Sequence, residues 1–167
     1  MADDPLIGLA ARVGERCLAL GIRLTTVESC TGGLVGHTLT EVPGSSAYYV
    51  GGFVTYADAS KEAMVGVPPE VLRAHGAVSA QTAKAMAAGG RDRTGAEIAV
   101  SVTGIAGPDG GSDAKPVGLT FVAVADATGT EVRRFLWTGS RTENKQASAR
   151  AALELVLERF EATADRS

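Results

Sequence analysis

The stretch that decides the fold is Glu28-Ser29-Cys30-Thr31-Gly32-Gly33, which joins two different patterns. The run 22–27 before it is rich in β-branched residues and predicts a strand, whereas apolar residues recur at helical spacing over 34–39 and predict a helix. The two glycines allow a substrate to approach the backbone closely. The unpaired N–H groups and dipole of the new helix favour an anion or a developing oxyanion. A plain helix N-cap is the alternative interpretation of Ser29 and Thr31.

A second loop has the same character. The run 98–103, which includes the hydroxyl residues Ser101 and Thr103, predicts a strand. A glycine-rich turn, 104–111, follows it directly. Open α/β sheets bind ligands beyond the carboxyl ends of their strands. The two loops therefore predict one shared cleft.

Composition limits the classes of function. The chain has 167 residues, which predicts a single domain over 1–167, and its formal net charge of −3 does not favour nucleic-acid binding. Two cysteines, Cys17 and Cys30, cannot form a disulfide framework. The acidic amino terminus has no secretory pattern, and no apolar run is long enough to cross a membrane. We expect a cytoplasmic protein that binds neither membrane nor nucleic acid.

Local signals along the rest of the chain predict alternating helices and strands. Pro5 opens a helix that ends at Gly21, and the turn Asp126–Gly129 joins two strands as a hairpin. The other predicted helices cover about 59–65, 68–76, 79–91 and 142–160, and the other strands about 48–56, 98–103, 119–125 and 132–137. The tail after Phe160 is predicted to be loose. This order predicts an α/β fold, a three-layer α/β/α sandwich with a mixed sheet.

Hydrolysis of an amide or ester requires a nucleophile, a base and donors for the oxyanion. The candidate hydroxyls are those of Ser29, Thr31, Ser45, Ser46 and Thr103. Neither histidine, His37 nor His75, stands in a context that suggests a base. Lys61 is the candidate base, because partial desolvation lowers the pKa of a lysine. An exposed lysine on a short helix and a packed strand tyrosine are the simpler interpretations of Lys61 and Tyr56.

The remaining reactive side chains favour structural interpretations. Cys30 is a thiolate candidate at a helix start, but a buried small residue is the favoured interpretation. Asp109 and Asp113 lack histidine partners and a metal-ligand spacing, so turn chemistry explains them better. The sequence predicts no metal and no cofactor.

Six ordered motifs together resemble the CinA C-terminal domain family, whose characterised members are nicotinamide mononucleotide (NMN) deamidases. The resemblance covers roughly residues 6–160. It rests on 28–33, on Gly44-Ser45-Ser46, on 52–56 with Lys61, on 76–79, on 103–108 with 110–111 and 115–118, and on Gly139-Ser140-Arg141. It implies the same three-layer fold and a self-associating protein, a homo-oligomer of two or more copies. It also implies that this chain is a stand-alone version without the larger amino-terminal domain of many relatives.

The resemblance also implies roles for individual residues. Ser46, Tyr56 and Lys61 form the catalytic centre, with Ser46 favoured as the nucleophile and Ser29 assigned to substrate positioning or the oxyanion. The implied substrate-binding residues are Thr31, Gly32, Gly33, Thr103, Gly104, Gly107 and Arg141, the last as the anion contact. The family often has an acidic residue in place of Ser140 and an arginine in place of Lys145, so the phosphate contacts near the final helix differ here.

The implied reaction is hydrolysis of the carboxamide of NMN to nicotinate mononucleotide and ammonia. Two alternatives stay open: a non-catalytic nucleotide-binding module, and a deamidase of another small amide. The set of Ser46, Tyr56 and Lys61 favours an enzyme, because binding alone does not require a nucleophile with a base.

Overall fold

The computed structural model describes residues 4–166, which form six helices and five strands. The helices are α1 (Pro5–Leu20), α2 (Leu34–Thr40), α3 (Asp58–Val65), α4 (Pro69–His75), α5 (Ala80–Thr94) and α6 (Arg141–Ala164). The strands are β1 (Leu24–Glu28), β2 (Tyr49–Val54), β3 (Ile98–Gly104), β4 (Leu119–Asp126) and β5 (Gly129–Leu136). A short 3₁₀ helix, Ser45–Ala47, precedes β2. Residues 1–3 of the acidic amino terminus and residue 167 lie outside the described residues.

Local sequence signals account for the ends of the helices. The Asp4 carboxylate accepts the N–H of Leu6 at the start of α1, and Gly21 ends the helix with a φ of 64°. Ser140 and Glu143 form a reciprocal capping box at the start of α6. The α6 helix continues to Ala164, so the prediction of a loose tail directly after Phe160 is wrong.

The five strands form one mixed sheet in the order β2-β1-β3-β4-β5. The strands β2, β1 and β3 run parallel, whereas β4 and β5 are antiparallel additions joined by the predicted hairpin. All five residues of β1 are buried, because β1 lies inside the sheet and is covered on both faces. The parallel half of the sheet brings the carboxyl ends of β1, β2 and β3 to one edge.

The helices cover both faces of the sheet. α1, α2 and α6 pack together over the main apolar core on one face, whereas α3, α4 and α5 cover the other. Gly90 allows α5 to approach the sheet, because a Cβ there would lie 2.4 Å from Cγ2 of Val27. The predicted three-layer α/β/α architecture is therefore confirmed. No helix within residues 4–166 has the length and apolarity needed to cross a membrane.

Candidate active site

A cleft of about 280 Å³ opens at the carboxyl ends of the three parallel strands. Ser29 follows β1, Tyr56 and Lys61 follow β2, and Thr103 lies at the end of β3. Parallel strands deliver these side chains to one place because their carboxyl ends meet at the same sheet edge. The cleft is lined by Ser29, Cys30, Tyr56, Lys61, Ala77, Val78, Thr103, Gly104, Ile105, Ala106, Gly107, Asp109, Gly110, Gly111 and Arg141.

Lys61 is the most unusual side chain of the cleft, since only 1% of its surface is exposed. Its Nζ donates to the carbonyl oxygens of Thr55 at 2.7 Å and Tyr56 at 3.2 Å, and lies 3.1 Å from Oγ of Ser29. Within residues 4–166, no carboxylate lies within ion-pair distance of this amine. Burial lowers the pKa of Lys61 below its usual value, although Asp58 and Cys30 partly oppose the shift.

The three partners of Lys61 suit either protonation state. The charged amine has three N–H donors for two carbonyls and one hydroxyl oxygen. The neutral amine keeps two N–H donors for the carbonyls of Thr55 and Tyr56, and its lone pair is left for the O–H of Ser29. A proton can therefore pass between Ser29 and Lys61 without a change in the surrounding hydrogen bonds.

The backbone on both sides of the Ser29 side chain is held in place. The Ser29 N–H donates to the carbonyl of Val102 at 2.9 Å, and the Ser29 carbonyl accepts the N–H of Gly32 at 3.0 Å. Ser29 is 8% exposed. The hydroxyl is therefore fixed between β3 and the turn into α2, with one face at the cleft.

Glu28 takes the position that the sequence suggested for a ligand anion. Its two carboxylate oxygens accept the N–H groups of Val35 at 2.9 Å and Gly36 at 3.0 Å, and Glu28 is 2% exposed. The first N–H groups of α2 are therefore satisfied within the protein. These two N–H groups are therefore not available to the ligand anion or oxyanion that the sequence predicted at this helix start. Sequence reasoning missed this role of Glu28, although an acidic residue at the end of the buried strand that leads to α2 was a usable signal.

The glycine turn also differs from the prediction. Thr31, Gly32 and Gly33 are not among the cleft-lining residues, although the resemblance implied substrate contacts for all three. The Gly32 N–H is used by the Ser29 carbonyl, and Gly33 has a φ of 103° that allows the chain to enter α2. The turn holds Ser29 in place, and Thr31 is buried behind it.

Ser46 is not brought to the cleft. It lies exposed in the 3₁₀ helix before β2, whereas Lys61 follows the other end of that strand. The six residues of β2 extend roughly 20 Å at about 3.3 Å per residue, so Ser46 and Lys61 lie at opposite ends of this strand. The implied grouping of Ser46 with Lys61 is corrected here: within one chain, Ser29 is the serine beside Lys61.

The second wall of the cleft is the segment 103–111 with its supports. The Thr103 hydroxyl donates to the carbonyl of Ala77 at 2.7 Å and ties β3 to the segment before α5. Arg141 bridges the mouth, because its Nη1 donates to the Gly107 carbonyl at 2.8 Å and its Nη2 to Oη of Tyr56 at 3.3 Å. Tyr56 is 62% exposed, so its phenol lies at the rim.

Sequence reasoning missed Asn144, a buried residue of α6 whose Nδ2 donates to the carbonyl of Ala106 at 3.0 Å. A polar side chain on the apolar stripe of a helix was the available signal.

Cys30 is the buried small residue that the sequence favoured, and burial raises the pKa of its thiol to about 12. In the part of the chain that the structure describes, no group of three or more His, Cys, Asp or Glu side chains is placed to hold a metal ion.

The fold and the cleft define the class: a three-layer α/β protein with a serine and a buried lysine at the carboxyl ends of parallel strands. Residues 7–160 match the model of the CinA C-terminal domain. The chain belongs to the CinA C-terminal domain family.

Individual relatives cover the chain almost completely. It is 43% identical to the nicotinamide-nucleotide amidohydrolase PncC of Escherichia coli strain K12, over 96% of this chain and 98% of that protein. It is 46% identical to a CinA-like protein of Chloroherpeton thalassium over 93% of this chain, but spans only 38% of that longer relative. The crystal structure of the competence/damage inducible protein CihA from Agrobacterium tumefaciens has a TM-score of 0.90 at 45% identity, covering 92% of this chain and 94% of that one.

Proposed function

We propose that the protein is an amidohydrolase that converts NMN to nicotinate mononucleotide and ammonia. The observation that carries this proposal is the contact of 3.1 Å between Oγ of Ser29 and Nζ of Lys61, which is buried and has no carboxylate of residues 4–166 within ion-pair distance. A binding module has no use for a serine beside an amine whose pKa is lowered. The near-complete coverage of the E. coli amidohydrolase supports the choice of substrate.

The lining of the cleft suits a pyridine nucleotide. Ala77, Val78 and Ile105 contribute apolar surface on which an aromatic ring packs. At the mouth, the guanidinium of Arg141 contacts only a carbonyl and a phenol, and no carboxylate of residues 4–166 lies within ion-pair distance of it. An uncompensated arginine favours a phosphate, which accepts two parallel N–H bonds from it.

In the acylation step, Oγ of Ser29 attacks the carboxamide carbon while neutral Lys61 takes the hydroxyl proton. The carbonyl oxygen becomes an oxyanion, for which the free backbone N–H groups of the segment 106–111 are the donors. Lys61 then gives its proton to the leaving nitrogen. The C–N bond breaks, ammonia leaves, and the nicotinoyl group remains as an ester on Ser29.

In the deacylation step, water attacks the ester carbon and gives a proton to Lys61. The second tetrahedral intermediate collapses, and Ser29 leaves and recovers its proton from Lys61. The product is nicotinate mononucleotide, with Ser29 and Lys61 restored. Tyr56, at the rim, orients the substrate together with Arg141.

Ammonia release from a panel of NMN, free nicotinamide and unrelated small amides tests the proposal. We expect turnover of NMN at the highest kcat/KM in the panel. Higher kcat/KM for another amide would replace the substrate, and absence of turnover with measurable NMN binding would favour the non-catalytic binding module. Self-association stays a prediction, which light scattering of the purified protein checks.

A further inference from the structure

The carboxamide of Asn144 is locked in one orientation beneath the glycine-rich loop. Asn144 is 3% exposed, its Nδ2 donates to the Ala106 carbonyl at 3.0 Å, and its Oδ1 accepts the Gly139 N–H at 3.0 Å. One neighbour can only accept and the other can only donate, so the amide cannot be reversed without losing both hydrogen bonds.

The backbone around Asn144 is held as well. Oγ of Ser148, one turn further along α6, donates to the carbonyl of Asn144 at 2.8 Å. Nε1 of Trp137 in turn donates to Oγ of Ser148 at 3.0 Å, and its ring stacks on Phe135. The Ala106 carbonyl is therefore fixed to a rigid support rather than to a mobile side chain.

The hydrogen bond from Asn144 to the Ala106 carbonyl also fixes the direction of the Gly107 N–H group. The Ala106–Gly107 peptide is trans, since the cis bond is the one between Gly107 and Pro108. In a trans peptide the C=O and the following N–H point in opposite directions, so the Gly107 N–H points away from Asn144. Gly107 lines the cleft together with Ser29, and no residue within 4–166 accepts a hydrogen bond from its N–H.

Gly107 itself is required for this arrangement. Its φ is +84°, which L side chains rarely adopt, and a Cβ would lie 2.4 Å from Cγ1 of Val117. Its carbonyl is bound by Nη1 of Arg141 at 2.8 Å. Two side chains from the first turn of α6, Arg141 and Asn144, thus hold two successive carbonyls of the loop and leave the intervening N–H group free.

We propose that the Gly107 N–H is a donor to the oxyanion formed on the carboxamide, and that Asn144 is the positioning residue that aims it. The inference rests on the proposed amidohydrolase function and adds to it a named donor and its support. Removal of one oxyanion donor lowers kcat by about 10²–10³-fold in enzymes of this chemistry, with little effect on ground-state binding.

Asn144→Asp is the decisive variant. It keeps the acceptor for Gly139 but replaces the donor with an oxygen that repels the Ala106 carbonyl. We expect kcat to fall by about 10²–10³-fold with KM close to wild type, and a crystal structure of the variant to show the Ala106–Gly107 peptide rotated. Gln146→Glu is the matched control, the same change on an exposed position of the same helix, and should keep wild-type kcat.

Asn144→Ala is the second variant, which removes the donor without adding charge and should show the same kcat loss. Folding of each variant is checked by thermal unfolding. Wild-type kcat in a folded Asn144 variant, or a reduced kcat with the peptide unrotated in Asn144→Asp, overturns the inference. If another amide replaces NMN as substrate, the NMN assignment fails and the same comparison is made on that amide. If no amide is turned over, the proposed function and the oxyanion role fail together, while the peptide orientation still decides the positioning role.

Discussion

Replacing Lys61 with methionine tests the central claim about the site. The only side-chain hydrogen-bond partner of Oγ of Ser29 within residues 4–166 is Nζ of Lys61, at 3.1 Å. Lys61→Met removes this amine but keeps an unbranched apolar side chain in the buried space. General-base catalysis contributes about 10²–10⁴ in rate, which corresponds to about 2.7–5.5 kcal/mol of lost transition-state stabilisation. We expect kcat for NMN to fall by that factor.

The pH dependence of the rate follows from the direction of the pKa shift. Burial lowers the pKa of Lys61, so the neutral, reactive amine is present at a lower pH than in a free lysine. The wild-type kcat/KM should therefore rise with pH and level off below the usual lysine pKa. Lys61→Arg should not restore activity, because guanidinium stays protonated throughout this range.

The same shift predicts a pH dependence of stability. Between the lowered pKa of native Lys61 and the ordinary pKa of the unfolded chain, the unfolded state binds more protons than the native state. The free energy of unfolding should therefore rise with pH through this window, by at most about 1.4 kcal/mol per pH unit for one group. This contribution should be absent in Lys61→Met, as measured by denaturant unfolding at several pH values.

The assay is steady-state ammonia release, with Lys84→Met as the matched control. Lys84 is an exposed lysine on α5, outside the cleft, and its replacement should leave kcat unchanged. Turnover near wild type in either Lys61→Met or Lys61→Arg would remove Lys61 from the role of base. A pH profile that is unchanged in Lys61→Met would lead to the same conclusion.

Three further predictions concern the nucleophile, the anion contact and the support of the turn. Ser29→Ala should abolish turnover whereas Ser46→Ala keeps it, and mass spectrometry of a trapped acyl-enzyme should place the adduct on the peptide with Ser29; an adduct on Ser46 would reverse the assignment. Arg141→Ala should raise KM for NMN far more than for free nicotinamide, because only NMN carries the phosphate; equal changes in kinetic assays would defeat the role of anion contact. Glu28→Gln should lower the free energy of unfolding by about 1–3 kcal/mol, because one buried backbone N–H loses its acceptor; an unchanged denaturant midpoint would contradict this reasoning.

Local signals were sufficient to predict most of the elements. α1 begins at Pro5 and is ended by Gly21, Ser79 caps α5, and the turn after Asp126 joins β4 to β5. Each signal acts through residues a few positions away, so no tertiary contact was needed to interpret it. The end of α6 was predicted too early, because no glycine or proline stops the helix near Phe160 and the good helix formers Glu161, Ala162 and Ala164 continue it.

The candidate site was predicted in part. Strand ends with small hydroxyl residues and glycines correctly located the cleft at Ser29 and Thr103, and the search for a base added Lys61. The resemblance added roles for Tyr56 and Arg141, and all five residues line the cleft. Which of these residues act in catalysis stays a prediction for the kinetic variants to decide.

The sequence by itself determined the order of helices and strands, the glycine turns and the residue types available for chemistry, because these depend on neighbours along the chain. Only the tertiary structure decided which serine meets Lys61. Ser46 lies before the amino end of β2, whereas Lys61 follows its carboxyl end, where Ser29 also lies. The tertiary structure also decided that Glu28 satisfies the start of α2 and that Asn144 holds the glycine-rich loop. Such contacts join segments that are brought together only when the strands pair and the helices pack, and their distances are set by that packing rather than by spacing in the sequence.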